Sequence, residues 1–349
     1  YEKTFGQEHI YLASILSDLA SIYSDQGLVS KAIPLLRRSM EISLKYFQRE
    51  ASYMPVSNRK DFIAQFETFF TQAYSFASQG KSGAKLALFS SLNRRGLLEG
   101  LERRQFQIAN LSGAQKVILQ DLRKVINQLA STKPNVLQRK DLERQRDELE
   151  KKLYRIMPEQ TPRIVEVSEV QKVIPLNSVL IEYQSYVYND FMGLIGPRKN
   201  NSFDVRYQAL VLNDNGEITN VDLGSVVHIN EKIQQALIAS EEVLVDAPKL
   251  WNEISRLLIK PLEDAIGDAD TLFITPDAQL NRVPFAALSS HKDDQLLGET
   301  INLRLLTTGR ELLKLTKKLK STDQQPLVFA NPNFNLKGNS SQENNSELI

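Results

Sequence analysis

The sequence predicts α-helices in its first half and, in its second half, an α/β part with a largely parallel sheet. Up to Pro158, apolar residues recur at intervals of three and four, the spacing of a helix face. After Pro158, short β-rich runs alternate with helical stretches, as in a sheet covered by helices on both faces. The 349 residues are 42% hydrophobic and 24% charged, which is typical of a chain that folds around a core.

Composition argues against several classes of function. The net charge is +1, with 43 basic and 42 acidic residues, so we expect neither a nucleic acid nor a membrane partner. No apolar run approaches the roughly 20 residues that span a bilayer, and the first residues lack a secretion signal. The chain has no cysteine, which excludes disulfides, zinc–thiolate sites and a cysteine nucleophile within these residues. We expect a cytoplasmic protein.

Two helices separated by a break at Gly27 are predicted near the start of the chain. Ala20 and Ala32 are small enough to let the two backbones approach, while Leu16 and Leu36 fill the space beside them. This arrangement of small and large residues resembles the tetratricopeptide repeat. Such arrays bind peptides or protein surfaces, so the resemblance implies a protein partner or peptide on the repeat face.

A second, less regular helix pair follows. Aligning Gly80 with Gly27 places Ala73 over Ala20, and the next helix is expected over about 82–107. A solenoid normally needs at least three repeats to bury its faces, so we expect further repeats upstream of this chain.

Two long charged helices are predicted next, over about 112–131 and 135–157, with a break that contains Pro134. An antiparallel helical hairpin is the simplest interpretation. A long coiled-coil dimer remains an alternative, although the apolar seam of the second helix covers only about three heptads.

The second half contains several β-rich runs, and the Asn-Asp-Asn-Gly sequence at 213–216 is a hairpin turn signal. The predicted strands are 179–183, 191–195, 208–212, 218–223, 271–275, 303–306 and 326–330. The predicted helices are 229–242, 247–266 and 309–319.

The most informative run is 272–288, Leu-Phe-Ile-Thr-Pro-Asp-Ala-Gln-Leu-Asn-Arg-Val-Pro-Phe-Ala-Ala-Leu. A buried strand ends in Pro-Asp, and an apolar Val-Pro-Phe-Ala-Ala-Leu segment follows. This run resembles the opening of the CHAT domain, a caspase-like domain associated with tetratricopeptide repeats. Segments 296–299 and 327–332 resemble its next pieces, and segments 93–98 and 179–183 resemble its usual lead-in.

This resemblance implies a caspase- or separase-like cysteine endopeptidase that acts through a His-Cys dyad and is regulated through its helical repeats. In that family both residues lie on later strands, beyond a strand end like Asn331-Pro332. This chain has no cysteine, and none of His9, His228 and His291 occupies the matching place. No catalytic residue is therefore assigned, and the resemblance implies peptidase activity only for a longer parent or for this chain with a partner fragment.

Asp277 and Arg282 are the candidate substrate-binding residues. They follow a predicted parallel strand at its carboxyl end, where open α/β sheets place ligands. A charge at that position could face the side chain that precedes the cleaved bond. The alternative is that both residues only cap and solubilise the turn. The three histidines lack metal-ligand spacing, and neither a metal nor a cofactor is predicted.

The expected organisation is helical repeats over 1–107 (incomplete at the N-terminus), a helical hairpin over 108–158, a partial CHAT domain over 159–334 and a low-complexity loop or disordered tail over 335–349. We expect the chain to be the middle of a longer protein. Its partners would then include the rest of the CHAT domain and, for the complete protease, a protein substrate. The alternative function is a non-catalytic interaction scaffold with a degenerate CHAT domain.

Overall fold

The first half of the chain is helical, as predicted. The computed structural model describes residues 9–50, 61–95 (apart from 63, 65 and 66), 113–131, 136–156, 163–188, 204–290 and 295–315. The helices of this half are α1 (Ile10–Asp25), α2 (Val29–Glu50), α3 (Glu67–Ser75), α4 (Gly80–Arg94), α5 (Gly113–Ser131) and α6 (Val136–Ile156). Gly27 (φ +72°) and Gly80 (φ +82°) lie in the left-handed region at the two predicted breaks.

Helices α1 to α4 pack through small residues. Ala20, Ala32 and Ala73 are completely buried, as their predicted place at helix crossings requires. Ser39 on α2 donates to the carbonyl oxygen of Ala13 on α1 at 2.6 Å, and both residues are buried. The predicted second helix after Gly80 is confirmed to Arg94, while its continuation to residue 107 lies outside the described residues.

Helices α5 and α6 pack against each other, as the hairpin prediction requires. Leu119, Leu122 and Ile126 on α5 form a small cluster with Leu149 and Leu153 on α6. Their charged faces carry ion pairs between residues three or four positions apart, such as Arg139 with Glu143.

The second half contains a mixed five-stranded sheet, in the order β3-β2-β1-β4-β5. The strands are β1 (Ser178–Val187), β2 (Val205–Asn213), β3 (Ile218–Ser225), β4 (Thr271–Thr275) and β5 (Asn302–Leu305). Strand β1 pairs in parallel with β4, and β4 with β5; β1 pairs antiparallel with β2, and β2 with β3. The predicted class, α followed by α/β, is confirmed, whereas the predicted strands 191–195 and 326–330 lie outside the described residues.

The remaining helices connect or follow these strands. They are α7 (Val167–Gln171), α8 (Val226–Glu241), α9 (Ala247–Leu258), α10 (Glu263–Ile266), α11 (Leu297–Thr300) and α12 (Leu312–Leu315), with short 3₁₀ turns at Lys260–Leu262, Ala278–Arg282, Phe285–Ala287 and Gly309–Glu311. The predicted hairpin turn is confirmed: the Gly216 amide donates to the Asn213 carbonyl at 3.0 Å, and Gly216 has φ +86°.

The two faces of the sheet are covered by different parts of the chain. Alternate residues such as Leu180, Leu210 and Phe273 belong to a hydrophobic cluster that also contains residues of helices α1 to α4. Their neighbours, such as Ile181 and Ile274, pack against the face formed by α8 and α9. The helical half is therefore one of the two layers that bury the sheet.

Candidate functional site

A cleft of about 430 Å³ opens at the carboxyl ends of the parallel strands. It is lined by Arg95, Pro276, Asp277, Asn281, Val283, Leu305, Leu306 and Thr307. Most of these residues directly follow β4 or end β5, so the cleft lies where ligands bind in open α/β sheets.

The turn after β4 fixes the cleft wall. Ala278 has φ +48°, a left-handed conformation that is uncommon for a residue with a Cβ. The chain then forms the 3₁₀ turn Ala278–Arg282, and the Leu280 amide donates to the Asp277 carbonyl at 2.9 Å. Val283 and Phe285 are buried in the core beneath this turn. The apolar residues that follow the Pro-Asp pair therefore anchor the loop.

The Asp277 carboxylate binds two other elements. Its Oδ2 accepts hydrogen bonds from the backbone amide of Ser185 at 2.7 Å and from the Ser185 hydroxyl at 2.8 Å. Its Oδ1 lies 3.3 Å from Nη2 of Arg95, and 21% of the side chain is exposed. The negative charge is thus compensated by neighbours, while part of the carboxylate faces the cleft.

Arg95 connects β1 and β4 at the point where their parallel pairing ends. Its guanidinium donates to the carbonyl oxygens of Thr275 (3.1 Å), Pro276 (3.3 Å) and Tyr183. It also donates to the Thr275 hydroxyl at 3.1 Å and to Oε2 of Glu182 at 3.3 Å. Only 9% of the side chain is exposed. A planar guanidinium with five N–H groups suits this set of acceptors, which a lysine ammonium could not bind together.

Glu182 carries the second carboxylate and is fully buried in the middle of β1. Besides Arg95, its Oε2 accepts from the Ser91 hydroxyl at 2.7 Å, and its Oε1 accepts from the Gly309 amide at 2.7 Å. A Cβ at position 309 would lie 2.3 Å from Cδ2 of Leu180, so a larger residue there would have to displace that buried side chain. A buried carboxylate is stable only with such donors, and here all its donors belong to other elements.

Arg94 and Tyr74 complete the polar surroundings. Nη1 of Arg94 donates to the Tyr74 hydroxyl at 3.4 Å. Burial raises the pKa of Tyr74, so the phenol stays neutral at physiological pH. Burial also lowers the pKa of Arg94, which the nearby Asp277 partly counteracts. Two arginines thus face two carboxylates at this edge of the sheet.

The predicted substrate-binding residues have different surroundings. Asp277 lines the cleft, whereas Arg282 is not among the lining residues. The exposed Arg282 side chain donates to Oε1 of Gln234 on α8 at 3.1 Å and to Oε1 of Gln279 at 3.3 Å. The structure therefore brings Asp277 together with Arg95 and leaves Arg282 on the adjoining surface.

The histidines lie away from the cleft or outside the described residues. His9 caps α1, and its Nδ1 accepts from the Tyr11 amide at 3.3 Å. His228 is exposed on the first turn of α8, and His291 falls outside the described residues. Within the described ranges, no group of three or more His, Cys, Asp or Glu residues could hold a metal ion. In the same ranges, no helix combines the length and apolarity needed to cross a membrane.

Sequence reasoning assigned no role to Arg95, Glu182 or Ser91. The two segments that resemble the usual lead-in to the CHAT domain, 93–98 and 179–183, contain Arg95 and Glu182. For Glu182 the available signal was a charged residue inside the otherwise apolar run 179–183, whereas the polar end of α4 carries no such signal for Arg95 or Ser91.

Comparison with known proteins supports the resemblance for one part of the chain. Residues 248–348 match the family model of the CHAT domain, a span that contains Asp277 and the Leu305–Thr307 side of the cleft. Arg95 and Glu182 lie outside this span. No curated protein matches the chain.

Proposed function

We propose that this chain is part of a caspase-like cysteine endopeptidase, to which it contributes helices and the first strands of a CHAT domain. The observation that carries this proposal is the cleft at the carboxyl ends of β4 and β5, whose lining apart from Arg95 lies within the span similar to CHAT domains. The chain has no cysteine, so the nucleophile would come from polypeptide outside these residues. That thiolate would attack the scissile carbonyl, and an imidazole would give its proton to the departing amine.

Asp277 and Arg282 remain our candidates for contact with the substrate. Asp277 would touch a substrate side chain from the cleft wall, since part of its carboxylate is exposed there. Arg282 would contact the substrate on the adjoining surface. Val283 and Leu305 supply apolar lining for the same side chain.

The helical half would regulate the peptidase in the cytoplasm by binding a protein or peptide partner. Its helices cover one face of the sheet and supply Arg95 to the cleft, which supports such a connection. The alternative is a non-catalytic scaffold. The scaffold is favoured because the Asp277 carboxylate already binds the Arg95 guanidinium and the Ser185 amide within this chain.

The test uses the complete parent protein, a candidate partner protein and a thiol-reactive probe. We expect a downstream histidine and cysteine, probe labelling of that cysteine, and cleavage of the partner that a Cys→Ala variant abolishes. The cysteine-free chain alone serves as the control and should neither be labelled nor cleave. Absence of the dyad would refute the peptidase, and partner binding without labelling or cleavage would support the scaffold.

A variant of the parent tests the cleft itself. Asp277→Asn should lower kcat/KM about tenfold, a loss of about 1.4 kcal/mol in transition-state binding. Asp222→Asn is the matched control, because Asp222 is exposed on β3 and pairs with Arg206 away from the cleft. Equal kcat/KM values for the two variants would contradict the substrate-binding role of Asp277.

A further inference from the structure

Arg95 belongs to the helical half of the chain, yet its side chain binds the sheet. It is the C-cap residue of α4, where its own amide donates to the Ser91 carbonyl at 3.1 Å. From there the guanidinium reaches Tyr183 in β1, just past the point where β1 stops pairing with β4, and Thr275 at the end of β4. The end of one helix is thus fastened to two neighbouring strands where they border the cleft.

Arg95 also pairs with two carboxylates, and each of them holds a backbone amide. Asp277 accepts from the Ser185 amide on β1, and Glu182 accepts from the Gly309 amide after β5. Both amide contacts are 2.7 Å long. The Arg95 guanidinium therefore orients two carboxylates. Through them it holds together β1, the turn after β4 and the segment after β5.

Burial distinguishes this network from the ion pairs on the protein surface. The side chains of Arg95 and Glu182 are 9% and 0% exposed, whereas those of Arg144 and Asp141 on α6 are 73% and 50% exposed. Exposed pairs contribute little free energy, while removal of one partner of a buried pair leaves an uncompensated charge. Loss of Arg95 would therefore release Glu182 and Asp277 from their present orientations.

We propose that Arg95 is a positioning residue that couples the end of α4 to the geometry of the cleft. A partner that displaces the end of α4 would then shift β1 and β4 at the cleft as well. The effect on catalysis rests on the proposed peptidase function, but the coupling itself does not. The coupling depends only on side chains and backbone groups that this chain contains.

The test is site-resolved amide hydrogen exchange on the intact chain. Arg95→Lys keeps the charge but removes the planar set of donors that orients both carboxylates. Exchange at Ser185 and Gly309 should therefore accelerate about tenfold or more, because hydrogen bonds to charged groups are among the stronger ones. Ser91→Ala removes a donor to Glu182 only. It should accelerate Gly309 and leave Ser185 unchanged.

Arg37→Lys is the matched control. Arg37 is also a partly buried arginine of the helical half that pairs with carboxylates, namely Glu41 and Glu166. It should leave exchange at Ser185 and Gly309 unchanged. Unaltered exchange at both amides in Arg95→Lys, or equal acceleration along the whole chain, would overturn the proposal. A positive result in a parent without peptidase activity would retain the coupling and refute only the proposed function.

Discussion

Val243 has a backbone conformation that β-branched residues rarely adopt, with φ +56°. It follows helix α8, where its amide donates to Ser240 and the Leu244 amide donates to Ala239 at 2.8 Å. This is the Schellman arrangement that ends many helices, and its left-handed position normally belongs to glycine. The Val243 side chain is 86% exposed, so it contributes little packing in return.

Val243→Gly should therefore stabilise the chain by about 1 kcal/mol, because the left-handed strain of an L-residue exceeds the entropy that glycine loses on folding. Urea denaturation measures this change. Val245→Gly is the matched control, since Val245 is fully exposed and has no positive φ. That control should give no stabilisation, and a Val243→Gly protein that is less stable than the parent chain would contradict the strain argument.

At the residue scale, the sequence indicates only local features. Asp277 is a candidate because it comes two positions after the short apolar run that forms β4. Arg95 was missed because its partners Thr275 and Pro276 are 180 and 181 positions away in the sequence. Nothing in the local pattern of a helix end indicates which distant carbonyls its arginine will bind.

At the scale of elements, the segment before α7 is held by side chains of the helical half. Asn93 donates to the Val165 carbonyl and accepts from the Val165 amide, both at 2.8 Å. Gln48 binds both backbone groups of Arg163 in the same way, at 3.2 and 2.7 Å. The side-chain amides of Asn93 and Gln48 thus bind backbone groups that a neighbouring strand would otherwise bind.

Asn93→Ala should destabilise the chain by about 2–4 kcal/mol, because it leaves the buried amide and carbonyl of Val165 without partners. Chemical denaturation followed by circular dichroism measures the loss. Gln145→Ala provides the comparison: Gln145 binds Asp141 on the exposed face of α6, and its loss should cost less than about 0.5 kcal/mol. Similar losses for the two variants would contradict the role of Asn93.

Secondary-structure elements were predicted well where the local sequence signal was strong. The run 271–275 agrees with β4 at both ends, and the hairpin turn at Gly216 follows from its Asn-Asp-Asn-Gly sequence. The single helix predicted over 247–266 is interrupted in the structure. It is divided into α9, a 3₁₀ turn and α10, because Pro261 removes a backbone donor and disfavours continuation of the helix.

At the scale of the whole molecule, the helices and the sheet share one hydrophobic core. Leu180, Leu212 and Phe273 from the sheet pack in the same cluster as Phe89 and Leu92 from α4. The sequence could not reveal this packing, since periodicity shows that a face is apolar but not which partner covers it. The boundary at residue 159 remains a prediction from the change of pattern.

A fragment of residues 159–349 should therefore fail to fold cooperatively, because its sheet would lose the layer formed by α1 to α4. We expect it to bind the dye ANS and to lack the sharp unfolding transition of the intact chain. The intact chain at the same concentration is the control. Cooperative unfolding of the fragment without dye binding would show that the sheet does not need this layer.

The central place of β1 has a consequence for synthesis on the ribosome. Helices α1 to α4 emerge before the sheet, and β2 follows β1 closely enough to pair with its antiparallel edge at once. The parallel edge of β1 must wait until α8, α9 and β4 have been made. During that interval the nascent chain presents an unpaired strand edge, which is the stage at which neighbouring chains on one messenger would most readily associate.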